Sequence, residues 1–447
     1  MELLSNAKVD RHRAVEANHG RPRVSLTARV CRLRWVVTQI GSREHYGVPR
    51  AFHGRGCLEH FYTDIWWRSG AGLVRRLPGG IAALATRGHR DLPPHKVTAF
   101  NFWSARNSLN NLLRRGPRSR TREFEEFARI GGEFALRVNR HLLRSRFDPR
   151  DAAAFLYTTG ALETCELMRQ WGVPVVVDQI DPARVEEQLV AAEMQKWPGW
   201  QDRPGEIPES YFQRLTAEWR AADVVLVNSN WSRTALMQQG IDQGKIVVVP
   251  LCLGQKSLPA QAERATSSTA PLTVLWLGQV NLRKGIPYLF EAARQLLSTN
   301  VRFIVAGPVG ISAEKLATAP GNVSIVGRIL KADTPKYYAQ ADLFVLPTVS
   351  DGFAITQLEA MSSGLPVITT PNCGDVVTHG TDGLIVPPCN SDALAQAILS
   401  LDRNRELLHE MSIQAMQKPK ERRFSLDGYA DAVENAVKAL PRGSRVG

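Results

Sequence analysis

No apolar run in this chain reaches the ~18 residues that a membrane-spanning helix needs, so no segment is expected to cross a bilayer. The opening "MELLSNAKVDRHRAVEANHGRPR" lacks the apolar core of a secretory signal. Cysteine is scarce and unpaired in pattern. Cys31, Cys57, Cys165, Cys252, Cys373 and Cys389 are scattered without a C-x-x-C pair, which argues against structural zinc and against a disulfide framework. A reducing cytoplasm fits best. No cluster of His, Cys, Asp or Glu has metal-ligand spacing, so no metal is expected. No repeat with a period of 20–50 residues is visible, which excludes a solenoid.

What is present is unevenly distributed. Residues 1–150 hold 29 Lys+Arg against 12 Asp+Glu, a balance of +17, while the remainder of the 447 residues is at −4. A basic part joined to a near-neutral part suits an anionic ligand or surface. The densest basic run, "LLRRGPRSRTR" at 112–122, has no interleaved aromatics on which bases would stack, so nucleic acid is not the expected partner. Docking of Arg114, Arg115, Arg118, Arg120 and Arg122 on anionic lipid is the alternative, and a solvated basic surface is the plain one.

The length implies two domains. After a polar arm over 1–30, β-branched runs recur at 34–40, 153–158, 173–179, 222–229 and 245–250. Their lack of polar alternation marks strands buried on both faces, and helical-length segments separate them. A Ser-, Ala-, Gln- and Thr-rich stretch at 254–271 reads as a linker. A second set of strands follows at 272–278, 301–307, 322–328, 342–347, 365–370 and 383–387. The helix over 286–298 is expected to bury Leu289, Phe290, Ala293, Leu296 and Leu297, and Ser391 is expected to cap the helix over 391–401. The fold class is thus α/β, with two Rossmann-like parallel-sheet domains facing a cleft: 31–253, then 272–425 with a helix and tail over 426–447. In such sheets ligands bind beyond the carboxyl ends of the strands.

Chemistry concentrates at two strand ends of the second domain. In "DGFAITQLEAMSSGLPV" (351–367), Gly352 permits close backbone approach before a helix starting near 353–355. The free amides and positive dipole end of that helix suit a phosphate. Glu359, one turn in, is placed to accept from a ribose diol, and Asp351 precedes the first turn. In "GQVNLRKG" (278–285), Gly278 and Gly285 bracket a loop that brings Arg283 and Lys284 to neutralise a diphosphate. Gly307 and Gly327 end strands where backbone is able to approach a ligand. In the first domain, Gly41 precedes Arg43, Glu44 and His45, and "VVVDQIDP" places Asp178 and Gln179 at another strand end. Gly41, Glu44, His45, Asp178 and Gln179 are the first-domain candidates at the cleft, with His45 a proton acceptor near neutral pH.

Over 222–405, and most densely over 342–388, the chain resembles the family 4 retaining glycosyltransferases of the GT-B fold (glycosyl transferases group 1). "SDGFAITQLEAMSSGLPVITTPNCGDVVTHGTDGLIVPP" is similar to the family's E-x7-E region and the segments after it, and "LWLGQVNLRKGIPYLFEAARQL" to its diphosphate loop. The resemblance implies transfer of a hexose-type sugar from a UDP- or GDP-sugar to a glycan, lipid-linked or phosphorylated acceptor, in polysaccharide, lipopolysaccharide or glycolipid synthesis. It assigns the diphosphate to Lys284 with Arg283, the ribose to Glu359, the donor sugar to Asp351, and donor amides to Phe353 and Ala354. No cofactor is implied beyond the donor. Two departures stand out: Asp351 replaces the usual Glu, and Gln279 the usual Arg. An epimerase, or a nucleotide-binding partner without turnover, remains open on the residues alone.

Overall fold

Runs such as Val175–Gln179 and Val224–Val227, buried at every position, need cover on both faces, and the chain supplies it as two doubly wound sheets. The structure is a computed structural model that describes residues 33–67, 87–113, 119–201, 205–253 and 270–441. The expected arm over 1–30 and nearly all of the expected linker lie outside the described residues.

The first sheet contains β1 (Arg34–Gln39), β2 (Leu58–Thr63), β3 (Val97–Ala99), β4 (Ala152–Tyr157), β5 (Val175–Gln179), β6 (Val224–Val227) and β7 (Ile246–Val248). Its order is β3-β2-β1-β4-β5-β6-β7, parallel throughout. The second contains β8 (Leu272–Leu277), β9 (Val301–Ala306), β10 (Val323–Gly327), β11 (Leu343–Leu346), β12 (Val367–Thr369) and β13 (Gly383–Ile385). Its order is β10-β9-β8-β11-β12-β13, again parallel. The order in which strands are added turns back between β1 and β4, and between β8 and β11, with successive strands running outward on either side. These two switch points are where such sheets open a crevice.

Each half of the chain lends a piece to the other. The helix Leu426–Lys438 buries Tyr429, Ala430, Val433 and Val437 among Trp35, Val37 and Phe52 of the first domain. In return Trp200 sits in the apolar core around β8 and β9. The Trp200 carbonyl accepts from the Ser312 amide at 2.7 Å, and Ser312 Oγ donates to the Gly199 carbonyl at 2.7 Å.

Several local expectations change. Asn390, not Ser391, caps the helix Ser391–Arg403, its side chain accepting from the Ala393 amide at 2.8 Å. The helix Ile286–Gln295 stops before Leu297, which falls outside the apolar register and is 54% exposed. Strands β2 and β3 and the 25-residue helix Arg120–Arg144 were not anticipated. In that helix Arg120 forms a bidentate pair with Glu187, so it is not free to dock on lipid. Arg122 is exposed, and Arg114, Arg115 and Arg118 lie outside the described residues.

Candidate active site

The second switch point is assembled by two loops locked backbone to backbone. After β8, the Asn281 side chain accepts from the Lys284 amide at 3.0 Å and forms the turn Leu282–Lys284. Gly285 then takes φ of 73°, and a Cβ there would lie 1.9 Å from the Pro347 carbonyl oxygen. Only glycine lets the β8 loop press this closely on the β11 loop. The Arg283 carbonyl accepts from the Val349 amide at 2.9 Å and from Thr348 Oγ1 at 2.9 Å.

That packing delivers three charged groups to one place. Lys284 Nζ pairs with Asp351 Oδ2, and Arg283 Nη1 lies 3.6 Å from Asp351 Oδ1. Lys284 is only 9% exposed. Burial opposes ionisation of Asp351, but Lys284 and Arg283 outweigh it and hold the carboxyl below the usual carboxylate range. The first domain adds a fourth group that the sequence reading missed. Glu186 Oε2 lies 3.5 Å from Arg283 Nη1 and accepts from Ser350 Oγ at 3.1 Å. Ser350 Oγ in turn accepts from Trp231 Nε1 at 3.2 Å.

The helix beyond this loop is Ile355–Ser362, with Ala354 at its N-cap. The donor amides expected from Phe353 and Ala354 are occupied within the turn. Phe353 donates to Asp351, and Ala354 donates to the Cys373 carbonyl at 3.2 Å. The amides that begin the helix itself are those of Ile355 and Thr356, and these first-turn groups have no intrahelical acceptor. The Phe353 ring is buried, with its centroid 6.4 Å from that of Phe424. Glu359 stands one turn further in, half-buried, and accepts from Tyr338 Oη at 3.0 Å. Burial raises its pKa, against the pull of Lys331 and the Tyr338 hydroxyl.

The glycines divide. A Cβ on Gly352 would lie 2.2 Å from the Ile180 carbonyl oxygen, so its smallness admits the first domain's β5 loop. At Gly307 the close approach is to the protein's own Gly278 carbonyl, 1.6 Å from a built Cβ, and not to a ligand position. Gly278 would make only an ordinary 3.6 Å contact with Trp276, and Gly327 has φ of 77° with open space around it. Gln279 is exposed and accepts from Asn281 Nδ2 at 3.3 Å.

On the facing domain, Gly41 has φ of 88° and its amide donates to Asp64 Oδ1 at 2.9 Å, so that amide is occupied. Glu44, His45 and Tyr46 follow at φ of 45°, 50° and 61°, three consecutive non-glycine residues in left-handed backbone. Glu44 accepts from Tyr157 Oη at 2.8 Å. Burial raises the pKa of both Glu44 and Asp178, and their mutual repulsion raises that of Asp178 further. Asp178 Oδ2 is buried without a hydrogen-bond partner. His45 touches Lys331 of the second domain through Nε2. Burial, then Lys331, His89 and Arg50, push its pKa down to about 4, below the near-neutral range expected of a proton acceptor. Gln179 is fully engaged inside its own domain. It donates to Asp181 at 3.0 Å (O) and 2.8 Å (Oδ1) and accepts from Trp219 Nε1 at 3.1 Å. Among the described residues no three His, Cys, Asp or Glu side chains are grouped to hold a metal ion.

Two parallel Rossmann-like sheets meeting at their switch points define the GT-B fold, and solved structures share it. The Anabaena protein Alr3699/HepE, in complex with UDP, superposes with a TM-score of 0.57 at 14% identity, over 91% of this chain and 100% of that one. Sucrose-phosphate synthase from Thermosynechococcus elongatus gives 0.60 at 16% identity, over 91% and 99%. Residues 271–404, which carry the second sheet, match the family model for glycosyl transferases group 1. Among curated proteins, an alpha-D-kanosaminyltransferase of Streptomyces kanamyceticus is 30% identical over 37% of this chain and 45% of its own length. A D-inositol 3-phosphate glycosyltransferase of Corynebacterium urealyticum is 29% identical over 49% and 57%. The chain therefore spans less than two thirds of the length of either.

Proposed function

We propose that this protein is a retaining glycosyltransferase of family 4 type, moving a hexose-type sugar from a nucleoside-diphosphate sugar to an acceptor hydroxyl. The observation that carries this reading is the meeting of Lys284, Arg283 and Asp351 beside an open helix start, at the switch point of the sheet that matches the group 1 family model. In this reading Lys284, helped by Arg283, neutralises the diphosphate, and the Ile355–Ser362 helix dipole adds to their field. Glu359 accepts from the ribose diol, and Asp351 faces the donor sugar. The acceptor enters across the ends of β1 and β5, beside Gly41, Glu44 and Asp178. No side chain is placed as a nucleophile. The acceptor attacks from the face the diphosphate leaves, and a departing phosphate oxygen takes its proton. Electrostatic support of the leaving group is then the main catalytic contribution.

UDP-sugars are the first donors to test, because a structural neighbour is described in complex with UDP-glucose. An acceptor in polysaccharide, lipopolysaccharide or glycolipid synthesis, reached at an anionic membrane face, completes the reading. The expected result is nucleotide release from UDP- or GDP-sugars that depends on added acceptor, with NMR of the product showing the donor's anomeric configuration. Release without acceptor would indicate an epimerase, and binding without release under all conditions an inactive binding module.

A further inference from the structure

Glu186 belongs to the first domain, yet its carboxylate is seated in the charge set of the second. It stands on the helix Arg184–Lys196 directly beyond β5, and its side chain is 17% exposed. One guanidinium, Arg283, lies between two carboxylates, 3.5 Å from Glu186 and 3.6 Å from Asp351. Ser350 Oγ holds Glu186 from the β11 side, and Trp231 of the first domain holds Ser350. We propose that Glu186 competes with the donor diphosphate for Arg283, which makes it a positioning residue that sets when the donor site accepts its anion. This rests on the donor-site reading given above and adds the control of that site.

The physical reason is charge crowding. A diphosphate brought to Lys284 and Arg283 joins two carboxylates already sharing those two cations, and like charges at such distances repel by kcal/mol amounts even when partly screened. One anion must yield. Asp351 is held ionised by two cations, so Glu186 is the group that yields. The groups facing Glu186 are Arg283, Ser350 and Asp351 from the second domain and Asp181 from its own β5 loop. Burial, followed by the repulsion of Asp181 and Asp351, lifts its pKa to about 7 against the pull of Arg283 and Ser350. A protonated Glu186 keeps its hydrogen bond to Ser350 and releases its hold on Arg283. Diphosphate binding is thus coupled to a proton on Glu186, and by linkage affinity falls as pH rises above about 7.

The experiment is calorimetric titration of the full chain with inorganic pyrophosphate, for wild type, Glu186→Gln, Arg283→Gln and Lys284→Ala. Titration of pyrophosphate itself is common to all four proteins and cancels in the comparison. Between about pH 6.5 and pH 8.5 the wild-type affinity is expected to fall about tenfold more than that of Glu186→Gln. Arg283→Gln, which removes the object of the competition, should flatten the profile as well and keeps the test usable should Glu186→Gln misfold. Parallel profiles for wild type and the variants overturn the proposal while leaving the donor site standing. Wild-type affinity that Lys284→Ala leaves unchanged, or no wild-type binding at either pH, overturns the donor-site reading and this inference with it.

Discussion

Asp351 is one methylene shorter than the glutamate its position resembles, and the structure shows how the shorter acid is held. Lys284 and Arg283 close on it from the β8 loop, so its charge is matched by side chains whose own backbone is pinned to the β11 loop. Because its folded pKa is depressed, its ionic contribution to stability is fully present above the unfolded value of about 3.8 and is lost only as pH falls through the lower folded value. Asp351→Asn should therefore lower stability by about 3 kcal/mol in denaturant titrations at neutral pH, since it leaves a buried lysine short of its counter-charge. Glu359→Gln should behave differently. The amide oxygen still accepts from Tyr338, so stability changes little, while, with Glu359 on the ribose as proposed, the KM for the donor rises about tenfold. The loop and helix that carry Lys284, Asp351 and Glu359 were legible in the sequence because each is one short continuous motif. Glu186 and Lys331 were not, because their site contacts span 164 residues to Ser350 and 286 residues to His45, between elements that only the packed sheets bring together.

At the scale of elements, glycine marks the places where two segments touch through backbone alone. Gly352→Ala places a Cβ against the Ile180 carbonyl, so the β5 and β11 loops must separate. The expected outcome is a protein with unchanged far-ultraviolet circular dichroism and a thermal midpoint within a few degrees of wild type, but with turnover reduced about a hundredfold, because displacements near 1 Å at a reacting centre have that effect. Wild-type turnover would show that the interdomain contact at Gly352 is incidental. Glycine also explains what was not legible. In the Arg120–Arg144 helix, the pair Gly131-Gly132 reads as a break, and a dense set of charges hides the apolar stripe of Phe134, Ala135, Val138 and Leu142. Gly131 is there because a Cβ would lie 2.0 Å from the Thr159 carbonyl, where the helix crosses the loop after β4. Strands β4, β6 and β11 needed no such context, since burial at every position writes itself into sequence as an unbroken apolar run. Strand β2, "LEHFYT", has polar residues at its second and third positions, half-buried in the structure, and so carries no such signature.

For the whole molecule, the two exchanged pieces bear on cooperativity. Trp200 fills the core around β8 and β9, while Tyr429 and its helix close the first domain's core beside Trp35 and Phe52. Neither domain completes its apolar packing from its own sheet and helices. A two-domain chain joined only by a linker is free to unfold in two steps, but here melting either domain strips a buried aromatic from the other. Calorimetry should therefore give one transition. Trp200→Ala should lower its midpoint at a cost of about 3–5 kcal/mol. The loss must also reach the first domain, through the chain that runs from Trp200 to the helix Arg184–Lys196 and so to Glu186. The near-ultraviolet circular dichroism difference between this protein and a Trp35→Phe counterpart at each temperature isolates the first domain's stacked Trp35–Phe52 pair. If this signal melts at its wild-type temperature in Trp200→Ala while the second domain melts early, the halves are independent. The position of Glu186 beside Arg283 would then depend on a hinge free to open and not on a clasp.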